Sequence, residues 1–202
     1  MTRALVAGGL MVDAPGRPAP RFPQSRVPWV AMRVRETLEE WQIGLGTTVY
    51  TGGARGADVV IAEEAYERGA AVHLCLAQAP AAFEESSVML PGTTWAARFR
   101  RLLRLAVAVD IVPRGPEETR YMRTNASILN LARRHDPTPY AIVVWNGRPG
   151  DGPGGTTDLV ERIGYPPGDR RLRVIDPTPP RRGTEPLPGS RRREPGGGSS
   201  FS

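Results

Sequence analysis

Three features of the 202-residue chain predict one α/β domain, built as a three-layer α/β/α fold around a mainly parallel sheet. Short apolar runs alternate with amphipathic stretches of helical spacing, as parallel strands joined by crossover helices require. Glycine-rich turns stand where strand-like runs give way to helix-like ones. The composition, 40% hydrophobic and 24% charged, is that of a globular domain with a buried core.

The first strand is expected at Arg3 to Ala7, ending in Gly8-Gly9. From Ala14 to Pro28 the chain is too densely punctuated by proline for regular structure and reads as a surface loop. From Trp29 to Trp41, Val30, Val34, Leu38 and Trp41 recur at helical spacing, and Gly44 and Gly46 close that helix before a second strand at Thr47 to Tyr50. Val59 to Arg68 reads as the next helix, with Val60, Ile61 and Ala65 turned inward, and Gly69 stops it before a strand at Ala71 to Leu76. A break follows from Gln78 to Pro91. Trp95, Phe99, Leu102, Leu103 and Ala106 mark another amphipathic helix, and Val107 to Val112 a strand. Pro116 with Glu117 and Glu118 suits the start of a helix that continues through Ile128, Leu129 and Ala132 towards His135. Tyr140 to Trp145 is the next strand, Thr156-Thr157-Asp158 opens a short helix, and Leu172 to Ile175 is the last strand. Right-handed crossovers between such strands make a Rossmann-like sheet covered on both faces.

Charge and cysteine usage narrow the function classes. No apolar run approaches the roughly 18 residues of a membrane span, and the start of the chain, interrupted by Gly8-Gly9 and Asp13, is unlike a signal peptide. A cytoplasmic protein without a membrane partner is expected. The single cysteine, Cys75, excludes an internal disulfide and a cysteine-rich metal site, and it reads as a buried core thiol. His73 in a strand and His135 at a helix end do not make a metal site, so neither a metal nor a cofactor is expected. The net charge of +6 is shared: residues 177–202 carry five Arg against two Glu, half of the excess. That Pro-, Gly- and Ser-rich segment reads as a disordered tail after a domain at 1–176. Its Arg clusters permit salt-sensitive attraction to nucleic acid, but without interleaved aromatics that reading is not favoured.

The stretch Thr51-Gly52-Gly53-Ala54-Arg55-Gly56-Ala57-Asp58 joins a strand directly to a helix. Glycines let backbone N–H groups approach an anion, the following helix adds its unpaired N–H groups and positive dipole end, and Arg55 adds a charge. The spacing fits neither GxGxxG nor GxxxxGK[ST], so the loop suggests a phosphorylated ligand without identifying it; the alternative is a tight turn with nothing bound. Asn146 to Gly155 is a second glycine-rich strand exit. In a parallel sheet these loops and Gly8-Gly9 share one edge and can form one crevice. Asp58 either complements its helix dipole or meets ligand, and Asp158 either caps its helix or binds a ribose hydroxyl. Ser86 and Ser87 lack the context of an activated nucleophile but can hydrogen-bond phosphate. Trp145 reads as core or as a stacking surface.

Together Thr51 to Asp58 followed by Ala62-Glu63, the Phe83-Glu84-Glu85-Ser86-Ser87 loop, Arg123-Thr124-Asn125, and Gly150-Asp151-Gly152-Pro153-Gly154-Gly155-Thr156 resemble the SLOG superfamily. That group of Rossmann-like domains includes nucleotide-derivative sensors, DNA-processing recombination mediators and cytokinin-activating phosphoribohydrolases. The resemblance implies a nucleotide or nucleotide-derived ligand held by Gly8, Gly9, Thr51, Gly52, Gly53, Arg55, Gly56 and Asp58 on one side. Ser86, Arg123, Asn125, Gly154, Gly155, Thr156, Thr157 and Asp158 are implied on the other, with Arg123 and Asn125 near phosphate or ribose. It also implies a homo-oligomer, and a self-contained sensor would need an effector protein. The phosphoribohydrolases carry PGGxGTxxE, whereas here Pro153 to Glu161 lacks the second glycine-threonine step. A sensor or regulatory module is therefore the first reading. An N-glycosidic-bond hydrolase using Glu161 and Arg123 is the alternative, and a nucleic-acid-binding protein the second alternative.

Overall fold

Successive residues of the first strand, β1 (Arg3–Gly9), serve two different cores: Leu5 and Ala7 enter one, Ala4 and Val6 the other. The same division runs through the computed structural model, which describes residues 2–149 and 154–178. Residues 150–153 of the second glycine-rich exit and residues 179–202 of the expected tail lie outside the described residues.

After β1 come α1 (Val27–Glu40), β2 (Thr47–Thr51), α2 (Ala57–Glu67) and β3 (Ala71–Leu76). The break that follows holds one helical turn, α3 (Pro80–Phe83), and a π turn at Glu84–Val88. Then come α4 (Trp95–Leu105), β4 (Ala108–Ile111), α5 (Arg120–His135), β5 (Tyr140–Val144), α6 (Thr156–Ile163) and β6 (Leu172–Ile175). The six strands form one all-parallel sheet in the order β4-β3-β2-β1-β5-β6. This is the three-layer α/β arrangement that the alternation of elements predicts. The side chains of α1, α2 and α4 build one core with Leu5, Val49, Val72 and Leu74, whereas α5 and α6 build the other with Val6, Tyr50, Cys75 and Val143.

Differences from the sequence reading lie at element ends and in one loop. β1 continues through Gly8 and Gly9, which pair with Val143 and Val144 of β5. α1 begins two residues early, with Pro28 in its first turn, where a missing N–H leaves no helical hydrogen bond unmade. The proline-rich loop after β1 is not wholly superficial. Phe22 is fully buried in it, and the Asp13 carboxylate accepts the N–H groups of Arg21 and Phe22, both at 2.8 Å. Cys75 is buried as expected, and burial pushes its thiol up to about 12. No helix among the described residues is long and apolar enough to cross a membrane.

The strand order places the site. β1 is central, and the chain passes from β4 at one edge to β5 on the other side of β1, so the reversal of connections falls between β1 and β5. In open α/β sheets a crevice opens at the carboxyl ends of the strands at such a reversal. The sheet holding this crevice depends on the α1 layer: replacing the fully buried Leu38 by Ala is expected to cost about 2–5 kcal/mol in urea unfolding. Replacing Leu45, 90% exposed, should change stability by less than about 0.5 kcal/mol.

Candidate functional site

The crevice is a cavity of about 340 Å³. Its floor is the carboxyl ends of β1 and β2, where Gly8, Gly9 and Gly52 present backbone and no side chain. A Cβ on Gly8 would lie 3.6 Å from Asp58 Oδ1, and one on Gly52 only 2.9 Å from Oδ2. Gly52 thus leaves room for the Asp58 carboxyl group, which is 9% exposed and lines the cavity, whereas Gly8, whose Cβ would lie 2.6 Å from Leu159 Cδ2, leaves room for Leu159. The Ala54 N–H donates to its Oδ2 at 3.2 Å. Burial raises Asp58 to about 7, against the opposing effect of the surrounding loop N–H groups. Thr51 Oγ1 lies near this carboxyl group, but it is buried without a hydrogen bond of good geometry.

The glycine loop is laced to the segment after β1. Gly56 has φ of +105°, and a Cβ there would meet Val12 N at 2.7 Å and Leu10 O at 2.8 Å. Only glycine fits both the angle and the gap. Ala57 N–H donates to Leu10 O, and Arg55 N–H to Ser87 O, both at 3.1 Å. The Arg55 side chain turns away from the cavity: its Nε donates to Val12 O at 3.1 Å, and partial burial lowers its pKa although nearby Asp13 opposes this. Gly53 packs against Phe99 and Leu74 and does not line the cavity.

The facing wall comes from α5 and the start of α6. Asn125 Nδ2 donates to Gly154 O at 3.0 Å and to Asp158 Oδ2 at 2.8 Å, and Arg162 Nε reaches both Asp158 oxygens at 2.9 Å. Asp158 therefore serves Asn125 and Arg162 and does not line the cavity. Gly154, at φ +76°, comes so close to α5 that a Cβ would lie 2.3 Å from Met122 N. Gly154, Gly155 and Thr156 line the cavity; Thr157 does not, although its Oγ1 is buried without a partner.

Of the other expected site residues, Arg123 bends back onto the segment before α5. Its Nη1 donates to Pro116 O at 2.7 Å and to Thr119 Oγ1. Glu161 is exposed on α6. Neither lines the cavity. Ser86 bonds Gln78 Nε2 at 2.6 Å outside it, and its neighbour Ser87 takes the cavity position, sharing a 3.2 Å hydrogen bond with Tyr121 Oη. His73 is partly exposed and bonds Asp110, while Trp145 packs at the core margin with its Nε1 on Arg148 O. Among the described residues no group of three or more His, Cys, Asp or Glu could hold a metal ion.

Sequence reasoning missed the apolar side of the cavity, which includes Leu10, Met11, Phe83, Ile128 and Leu159, and the polar groups of Arg21 and Tyr121. Phe83 and Ile128 were visible as apolar residues beside candidate motifs, but nothing in the spacing separates a cavity wall from a core. The chain matches no family model and no curated protein.

The Asp58 environment has a consequence for pH. In the folded protein the group keeps its proton up to about pH 7, whereas its ordinary value is 3.8. The folded state then binds more protons than the unfolded chain between these values, so this group's contribution to stability falls as pH rises from about 4 to about 7. Asp58→Asn removes that fall. Urea unfolding of both proteins should show the native protein losing a few kcal/mol relative to the variant across that range, roughly 1.4 kcal/mol for each unit of raised pKa.

Proposed function

We propose that the cavity binds a nucleotide or nucleotide-derived small molecule and that the protein acts as a sensor or regulatory module. The observation that carries this reading is the convergence of three glycine-bearing backbone segments on one cavity with an apolar wall opposite. The cavity volume falls in the range of small-molecule sites, roughly 300–1,000 Å³. The resemblance to the SLOG superfamily points to the same ligand class.

In this reading the phosphate lies at the start of α6, beside Thr156 and Arg21, where unpaired helix N–H groups and a guanidinium favour an anion. It does not lie over the 51–58 loop, because Asp58 occupies the place an anion would take there. The base packs against Phe83 and Ile128. Binding without turnover fits the exposed position of Glu161 and the outward turn of Arg123. One observation favours the hydrolase as a second reading: Asp58 is a cavity-lining carboxyl group with a pKa of about 7, suited to general acid–base work on an N-glycosidic bond.

Thermal unfolding of the purified protein with AMP, cyclic AMP and ADP-ribose, followed by chromatography for free base, tests both readings. At least one ligand should raise the melting temperature in a concentration-dependent way, by about 2.7 kcal/mol of added stability at a hundredfold excess over Kd. Arg21→Ala and Asn125→Ala should each reduce that rise, and Glu161→Ala should leave it intact. Base release that disappears in Asp58→Asn would establish the hydrolase instead. A melting temperature unmoved by every ligand would count against the site.

A further inference from the structure

Among the described residues that line the cavity, Arg21 alone is a cation and Asp58 alone carries a carboxyl group. Asp58 has no ion pair among the described residues; the hydrogen bond of good geometry that its side chain accepts comes from Ala54 N–H, on Oδ2. The titratable and charged groups on the elements around it are engaged elsewhere. On α6, Asp158 is held by Arg162 and Asn125, and on the glycine loop Arg55 bonds Val12 O. On α5, Arg123 bonds Pro116 O and the Tyr121 hydroxyl shares its hydrogen bond with Ser87. On α2, Glu63 pairs with Arg98, and on β3 the buried Cys75 thiol is pushed up to about 12 and is neutral.

This leaves little positive charge for an anion. A phosphate monoester brings about 1.5 to 2 negative charges, and a cyclic diester about one. Against them stand one guanidinium and the start of α6, equivalent to about half a positive charge. An ionised Asp58 cancels most of that and sets two anions together in a cavity of about 340 Å³, a space comparable in width with the roughly 8–10 Å over which salt screens charge. A proton on Asp58 removes the repulsion at little cost, because burial already raises the group to about 7. With Oδ2 accepting Ala54 N–H, that proton falls to Oδ1, which lies on the side of the cavity glycine Gly8, and turns an acceptor into a donor.

On the reading of this cavity as the ligand site, we infer that Asp58 selects the charge of what enters: a phosphate-bearing ligand binds with a proton on that carboxyl group, and above neutral pH the proton is taken up from solution. Binding and protonation are then linked, each favouring the other. The ligand prefers the protonated protein, so affinity is full below the pKa of the free protein, about 7, and falls by up to about tenfold per pH unit above it. The phosphate groups of AMP, cyclic AMP and ADP-ribose do not obscure this fall, since the second ionisation of a monoester lies near about 6 and is complete before it begins.

Isothermal titration calorimetry of the full chain with AMP, cyclic AMP and ADP-ribose, run in Tris and in HEPES, tests this by counting protons. A ligand that binds should take up close to one proton per molecule at pH 8, read from the difference in heat between the two buffers, and should bind about tenfold more weakly at pH 8.5 than at pH 7.5. Asp58→Asn keeps the shape of the side chain without its charge. It should bind with no proton taken up, with equal affinity at both pH values, and more tightly than the native chain at pH 8.5. Binding to the native chain without proton uptake, or uptake that survives in Asp58→Asn, would overturn the inference and leave the cavity reading standing. The proton count is made on the native chain, so it decides the matter should the variant fail to fold. No binding of any of the three at pH 6 would overturn the cavity reading, and this inference with it.

Discussion

The Asp58 carboxyl group is the constraint on which the cavity depends. It sits where two parallel strands end in glycine, and it accepts a hydrogen bond from the loop that connects β2 to α2. A carboxyl group so buried is costly unless hydrogen bonds or a proton compensate, and both operate here: loop N–H groups surround it, and its pKa rises to about 7. The same turn is fastened from outside by the contact of Gly56 with the backbone at Leu10 and Val12. The cavity floor is therefore a fixed assembly of two strand exits, and neither exit could carry a side chain at Gly8 or Gly52 without displacing the carboxyl group or Leu159.

The cavity is lined by two chemically different sets of polar groups. Near Asp58 the wall offers a carboxyl group that accepts or donates a hydrogen bond according to its proton. It also offers the start of the eight-residue α6, the Thr156 hydroxyl and Arg21. A glycine-rich strand-to-helix loop is ordinarily read as an anion cradle. Here the loop already has an anionic or protonatable group of its own, so its glycines serve close packing. The two glycine-rich segments, alike in composition, thus differ in what they can do.

The fold was legible in the sequence because its signals are long and periodic: Val30, Val34 and Leu38 on α1, and Phe99 and Leu102 on α4, recur at helical spacing whatever the surroundings. The backbone parts of the site were legible for a related reason. Gly8, Gly9, Gly52, Gly154 and Gly155 mark close approach, and close approach occurs at the crevice. Side-chain direction was not legible. Arg55 and Arg123 stand beside the right loops, yet their guanidinium groups bond backbone carbonyls outside the cavity. Arg21, in a stretch read as featureless proline-rich loop, lines the cavity because Asp13 and Phe22 fold that loop back over the crevice. Likewise the π turn at Glu84–Val88 presents Ser87 to the cavity and leaves Ser86 outside, a distinction between neighbours that one-dimensional reasoning has no means to make.

Arg123 illustrates how a residue can matter to a site it does not touch. Its guanidinium bonds Pro116 O and packs within 2.9 Å of where a Gly115 Cβ would be, tying the connection from β4 to the first turn of α5. The first two turns of α5 carry Tyr121, Thr124 and Asn125, three cavity residues on one helix face. Asn125 in turn holds Gly154 O and Asp158, and so fixes the start of α6. The chain of contacts runs from the sheet edge, through an arginine anchored on the Pro116 carbonyl and the Thr119 hydroxyl, to the start of α6. A guanidinium used this way positions polar groups that line the cavity, and it does so without adding its own charge to the lining.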